Sequence, residues 1–149
     1  MNSLDTNILY YATNADCPEH PAAQELLNRA RTDGKNWILA DQVLFEYYRL
    51  VRNPRVLQSP LSASEAARLV DFFRRDLGVR HCAYDPRLFS AIMKRAGAAG
   101  FPRRRLFDLV LAETLRHHGV VRLYTHNPKD FEELGYFEVI DPIAGNGDL

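Results

Sequence analysis

Four acidic residues stand where solubility alone does not explain a carboxylate: Asp5, Glu46, Asp108 and Asp130. Asp5 is followed by Thr6 and Asn7, so a carboxylate, a hydroxyl and an amide come together directly after a short opening run. A charge at the point where a first strand feeds the interior costs stability unless something uses it. Clustered carboxylates repel and raise one another's pKa values. A hard divalent cation such as Mg²⁺ or Mn²⁺ relieves that repulsion, since it takes oxygen ligands and keeps room for water and a substrate phosphate. Such an ion can generate hydroxide and neutralise charge on a phosphodiester, and a pair of ions can clamp the attacking and leaving oxygens.

Each acid also has a plain structural explanation. Asp5 can cap the helix at Asn7. Glu46 can pair with Arg49 or Arg52 on a helix surface, worth a few tenths of a kcal/mol. Asp108 can serve a helix dipole from its first turn. Asp130 can cap the turn that opens at Asn127-Pro128. Taken singly these explanations hold; two strand-end acids and two helix-border acids in one chain are harder to set aside together.

The elements that must position them are legible from hydrophobic period and punctuation. Residues 1–4 form a short first strand, and residues 8–11 then change to helical period. A second helix starts near Pro21, a good first-turn residue, and Gly34 is available to stop it. Residues 37–40 read as a buried strand, with Asp41 as N-cap of a helix that runs to about Arg52 and ends before Asn53-Pro54. Val43, Tyr47, Leu50 and Val51 form that helix's apolar arc, with Glu46 at its edge. Ser62 and Glu65 have the form of a capping box ahead of an amphipathic helix carrying Ala66, Leu69, Val70 and Phe73. A strand at 81–84 precedes a helix opened by Asp85-Pro86 that carries Leu88, Phe89, Ile92 and Met93.

On a wheel of roughly 100° per residue, Phe107, Val110, Leu111 and Thr114 share one face of the next helix. Asp108 falls at the border of that face, and Glu113 is expected to point the opposite way, into solvent. The adjacent His117 and His118 suit the dipole of its last turn. Strands at 120–124 and 137–140 follow, and residues 144–149 are expected to form a loose tail. Strands alternating with helices predict an α/β fold with a mostly parallel sheet covered on both faces. Ligands bind outside the carboxyl ends of such strands, where Asp5, Asn127 and Asp130 all fall.

Composition narrows the function. The 149 residues suit one domain, 1–149, with 46% hydrophobic and 26% charged side chains arguing against disorder. Basic and acidic side chains number 19 each, so any nucleic-acid binding rests on local patches rather than bulk charge. Cys17 and Cys82 form neither a CxxC pair nor a zinc spacing and are expected as free buried thiols of a cytoplasmic protein. No run is long and apolar enough for a membrane span or a signal peptide. Phosphate-binding GxxxxGK[ST], GxGxxG, GxSxG and HExxH motifs are all absent from the sequence.

Four short pieces, in order, carry a resemblance: Leu4-Asp5-Thr6-Asn7; Phe45-Glu46 with Arg52-Asn53-Pro54; residues 107–112 leading to His118-Gly119; and residues 125–131. Together they resemble the PIN-domain family of metal-dependent ribonucleases, especially the VapC-type toxins of bacterial toxin–antitoxin pairs. The resemblance implies a three-layer α/β/α sandwich, commonly dimeric. It implies hydrolysis of RNA by metal-activated water, with Mg²⁺ or Mn²⁺ held by Asp5, Glu46 and Asp108. Thr6 and Thr125 would orient carboxylates or water. Many relatives carry Asp where Asn127 stands; here Asp130 would complete the site. Arg103, Arg104 and Arg105, one turn before Asp108, are the first candidates for RNA contact, with Arg49, Arg52 and Arg55 next. An antitoxin partner is implied by the resemblance alone.

Three other readings remain open at this level. Asn127 favours a catalytically weak PIN-like interaction domain. A second possibility keeps the metal but cuts DNA or structured nucleic acid. A third is an unrelated α/β protein whose acids are caps and surface pairs.

Overall fold

The computed structural model describes residues 1–144; most of the expected tail, 145–149, lies outside the described residues. Five short strands carry the fold: β1 (Asn2–Leu4), β2 (Ile38–Ala40), β3 (Arg80–Cys82), β4 (Arg122–Tyr124) and β5 (Glu138–Ile140). Every pairing is parallel: β1 with β4, β4 with β5, and β2 with β3. A single parallel bridge from Asn2 to Trp37 joins the two groups, so the order across the sheet is 3-2-1-4-5. From β1 the chain winds outward one way to β3, then crosses back to β4 on the other side of β1. The C-terminal ends of β1 and β4 therefore flank the switch point, where crevices open in doubly wound sheets.

Seven helices among the described residues complete the α/β/α sandwich: α1 (Thr6–Thr13), α2 (His20–Thr32), α3 (Asp41–Val51), α4 (Ala63–Arg75), α5 (Phe89–Ala96), α6 (Leu106–His117) and α7 (Lys129–Glu132). Helices α1 to α4 pack against one another in a series, while α5 and α7 pack on α6. The core runs from Leu4, Ile8 and Leu9 through Trp37 to Ala40, Val43, Tyr47 and Phe73 to Leu111, Leu115 and Leu123. Trp37 stacks on Tyr124 across the sheet, with ring centres 5.2 Å apart. Ser62 and Glu65 form the reciprocal capping box that their spacing predicts. Cys17 and Cys82 are both free thiols, Cys17 half-buried and Cys82 buried. No helix of the described residues is long and apolar enough to cross a membrane.

Several expectations are corrected. Asp41 is the first residue of α3 rather than its cap; it makes an ion pair with Arg74 at 3.0 Å instead. Phe107 is 66% exposed, and Glu113 is only 7% exposed. The single-face wheel fails because α6 packs on β2 as well as on α5 and α7, so its middle is enclosed on more than one side. Glu113 is tolerated inside because Tyr136 donates a hydrogen bond to it at 2.5 Å, giving the buried polar group a partner. On α5, Ile92 is buried but Phe89 and Met93 are exposed.

Candidate active site

Asp5 occupies the switch point. Its backbone N–H extends the β1–β4 ladder by donating to the Tyr124 carbonyl at 2.9 Å, and its side chain caps α1 by accepting from Thr6 N–H at 2.6 Å. The capping role weighed from sequence is thus real and coexists with a second set of partners. Thr125, one residue past β4, donates its hydroxyl to Asp5 Oδ2 at 2.7 Å, and Asn7 Nδ2 donates to the same oxygen at 3.0 Å. Asn7 also donates to Thr125 Oγ1 at 3.1 Å and accepts from His126 N–H at 3.1 Å. One amide therefore ties the start of α1 to the loop after β4.

Glu46 approaches from α3. Its Oε2 accepts from the Thr6 hydroxyl at 3.1 Å, and its Oε1 accepts from Gln42 Nε2, one turn earlier, at 2.8 Å. Gln42 also donates to the Phe107 carbonyl at 2.9 Å, so one side chain links α3 to the residue preceding Asp108. Gln42 escapes the sequence reading altogether and Asn7 is seen there only as an amide beside Asp5, because a neutral amide carries no charge to mark its role. Their one signal is position: Asn7 is two residues after Asp5, and Gln42 is four before Glu46.

The acids act on one another. Burial is the main cause that pushes Asp5 up to about 6; Thr125 and Thr6 pull it back, while Glu46 and Asp108 add repulsion. Burial also raises Asp108, with Asp130 and Glu46 adding to it and the nearby Arg105 and Arg104 opposing it. The fold thus brings Asp5, Glu46, Asp108 and Asp130 to one sheet edge from four different elements. Among the described residues, no three His, Cys, Asp or Glu side chains as placed are drawn into one ion's coordination sphere. The donor set nevertheless fits a hard divalent cation in its chemistry. It is made of carboxylate oxygens, and the penalty on ionised Asp5 is one that a cation would remove.

The remaining predicted residues divide. Asn127 uses its backbone N–H on Thr125 Oγ1 at 3.0 Å. Arg105 is mostly buried at 16% exposure; it pairs with Glu133 at 2.5 Å and donates to the Asp130 carbonyl. It therefore clamps α7 to the turn before α6 rather than facing outward. Arg103 and Arg104 are exposed beside it. Arg49 lines a recess of about 280 Å³ with Thr6, Glu46 and Asn53, while Arg52 lies over the Tyr48 ring. Arg55 is exposed past the end of α3.

Comparison with known proteins shows the family and the fold. The PIN domain matches residues 3–135. The chain is 42% identical over 147 residues to Ribonuclease VapC24 of Mycobacterium tuberculosis, covering 99% of this chain and 100% of that one. Ribonuclease VapC48 of the same organism is 27% identical over 144 residues, covering 96% and 98%. Among solved structures, the fold is similar to Mycobacterium tuberculosis VapC20, a sarcin-ricin loop cleaving toxin, at 18% identity and a TM-score of 0.69, covering 95% of this chain and 100% of that one. It is also similar to DNA-bound VapBC of Salmonella typhimurium at 17% identity and a TM-score of 0.65, covering 95% and 97%. With a domain match across most of its length and a full-length ribonuclease relative at 42% identity, the chain belongs to the PIN-domain family, within its VapC branch.

Proposed function

We propose that this protein is a metal-dependent endoribonuclease, the toxin of a toxin–antitoxin pair, hydrolysing RNA phosphodiesters with metal-activated water. The observation that carries the reading is Asp5: a buried carboxylate, oriented by three donors, whose ionisation is opposed by burial and by two further acids. Nothing in a purely structural cap calls for that arrangement. Asp5, Glu46 and Asp108 are the residues to hold Mg²⁺ or Mn²⁺, with Asp130 as the fourth acid. Bound there, the ion supplies Lewis acidity and neutralises charge at the phosphodiester.

The chain's own residues do the positioning. Thr125 and Asn7 fix the Asp5 carboxylate, Thr6 joins it to Glu46, and Gln42 holds Glu46 against the start of α6. Arg103, Arg104 and Arg49 are placed to meet backbone phosphates, a contact that positions RNA without reading its sequence. Arg105 supports Asp130 instead. The relatives named as VapC ribonucleases support RNA as substrate, and the VapBC complex supports an antitoxin partner. A homodimer in the cytoplasm completes the proposal.

Asn127 favours a second reading, a catalytically weak interaction domain, because it brings an amide to an exposed position where a further carboxylate would strengthen metal binding. A single experiment separates the two. The purified protein is incubated with mixed tRNA and mRNA in Mg²⁺, Mn²⁺ or EDTA, alongside Asp5→Asn and Asp108→Asn proteins whose folding is checked by circular dichroism. Cleavage that needs metal and disappears in both variants supports the nuclease. No cleavage, together with no heat of metal binding, supports the interaction domain.

A further inference from the structure

Beside the acids lies a second cavity of about 440 Å³, within the roughly 300–1,000 Å³ range of small-molecule sites. Asp108 and Asp130 line one part of it, and Phe101, Leu109 and Leu134 supply an apolar wall. Phe101 is brought there by a turn in which its N–H donates to the Ala98 carbonyl at 3.1 Å and Gly100 adopts φ +80°. That backbone conformation is one that a side chain at residue 100 would resist. Arg95 lies at the border of the same cavity.

Arg95 is unusually constrained for a side chain that is 44% exposed. It donates to the Tyr136 hydroxyl, sits 5.0 Å from the centre of that ring, and is 4.0 Å from Glu113. Tyr136 in turn donates to buried Glu113. The nuclease chemistry proposed above makes no use of Glu113, Tyr136 or Arg95. Burying an acid costs free energy, and here it immobilises a cation at the mouth of a cavity that opens beside the reacting groups. An aromatic ring, an apolar wall and a fixed guanidinium are the parts with which proteins hold an unstacked base of single-stranded RNA.

We propose that this cavity is a nucleobase subsite, in which Phe101 stacks on a base next to the cleaved phosphodiester and Arg95, held by Tyr136 and Glu113, meets its hydrogen-bonding edge. The inference rests on the ribonuclease reading and adds selection of sequence to it. Arg95 is then the specificity residue, Phe101 stacks on the base, and Glu113 and Tyr136 are positioning residues.

Two measurements test it. In the first, RNA of randomised sequence is cleaved and the product ends are sequenced. The native protein should show a base preference at one position flanking the cut. Arg95→Ala should flatten that preference, whereas Phe101→Ala should lower cleavage of all sequences about fivefold to a hundredfold, roughly what loss of one base–aromatic stack amounts to, and Phe101→Trp should keep it. A preference equal in native and Arg95→Ala proteins would overturn the subsite while leaving the nuclease intact.

The second measurement does not need cleavage. The Asp5→Asn protein binds short single-stranded RNAs carrying 2-aminopurine at successive positions, with thermal melts confirming that each Phe101 variant is folded. Stacking should quench the fluorescence at one position, in Phe101 and Phe101→Trp proteins but not in Phe101→Ala. A quench at no position, or one indifferent to Phe101, would overturn the proposal. Absence of cleavage by the native protein in the first measurement counts against the ribonuclease reading separately.

Discussion

Replacing Asp5 by Asn should change how stability depends on pH more than how large it is. Asp5 is 9% exposed, and its folded pKa is pushed up to about 6 from an ordinary 3.8. Below about pH 4 the carboxyl is protonated in both folded and unfolded chains and contributes nothing to the difference. Between about 4 and 6 the unfolded chain releases its proton while the folded protein holds on to it. Unfolding free energy then falls as pH rises, because the native state binds more protons. A shift of about two units at 1.36 kcal/mol each makes this loss about 3 kcal/mol by pH 7.

Asp5→Asn keeps the volume and an acceptor for Thr6 N–H. It also turns an amide toward the Thr125 hydroxyl and Asn7, both of which donate to the carboxylate. That mismatch costs the same at every pH. The signature is therefore a slope: stability of the variant relative to the native protein should rise by about 3 kcal/mol from pH 4 to pH 7, roughly 6–12 °C in Tm. Metal-free protein in EDTA would be unfolded with urea at pH 4, 5, 6, 7 and 8 and followed by circular dichroism. Parallel curves for the two proteins would refute the account of Asp5 as a carboxylate that burial and its acidic neighbours oppose.

Other outcomes follow from the same geometry. Mg²⁺ affinity, measured by calorimetry, should rise with pH up to about 6 and level off above, since ligands bind deprotonated. Asn7→Ala should lower cleavage about 10- to 100-fold with little change in fold, the effect expected when a group that orients a metal ligand is removed. Tyr136→Phe removes the hydrogen bond to buried Glu113 and should cost about 1–3 kcal/mol in urea unfolding; Tyr136→Phe with Glu113→Gln should recover part of it. Gly34→Ala would bring a Cβ to 1.9 Å from the Gly78 carbonyl oxygen, so Tm should fall by an amount matching about 1–3 kcal/mol of overpacking.

What the amino-acid order determined by itself is the local part of this molecule. Period and punctuation place the strands, the capping box at Ser62 and Glu65, and Asp5 and Thr125 just past two strand ends, because these depend on near neighbours. The four acids are legible for the same reason: a carboxylate beside an apolar run is conspicuous wherever it later goes. Tertiary structure decided everything that depends on which element lies beside which. The strand order 3-2-1-4-5 brings Asp5 and Thr125 together across 120 residues. Packing of α6 on more than one side turns Phe107 outward and buries Glu113, against a wheel that assumes a single buried face. Arg105 reads as one of three surface arginines until α7 supplies Glu133 and the Asp130 carbonyl. Asn7 and Gln42 become joints of the site only when their distant partners arrive, since an amide's role lies in what it touches and not in its own charge.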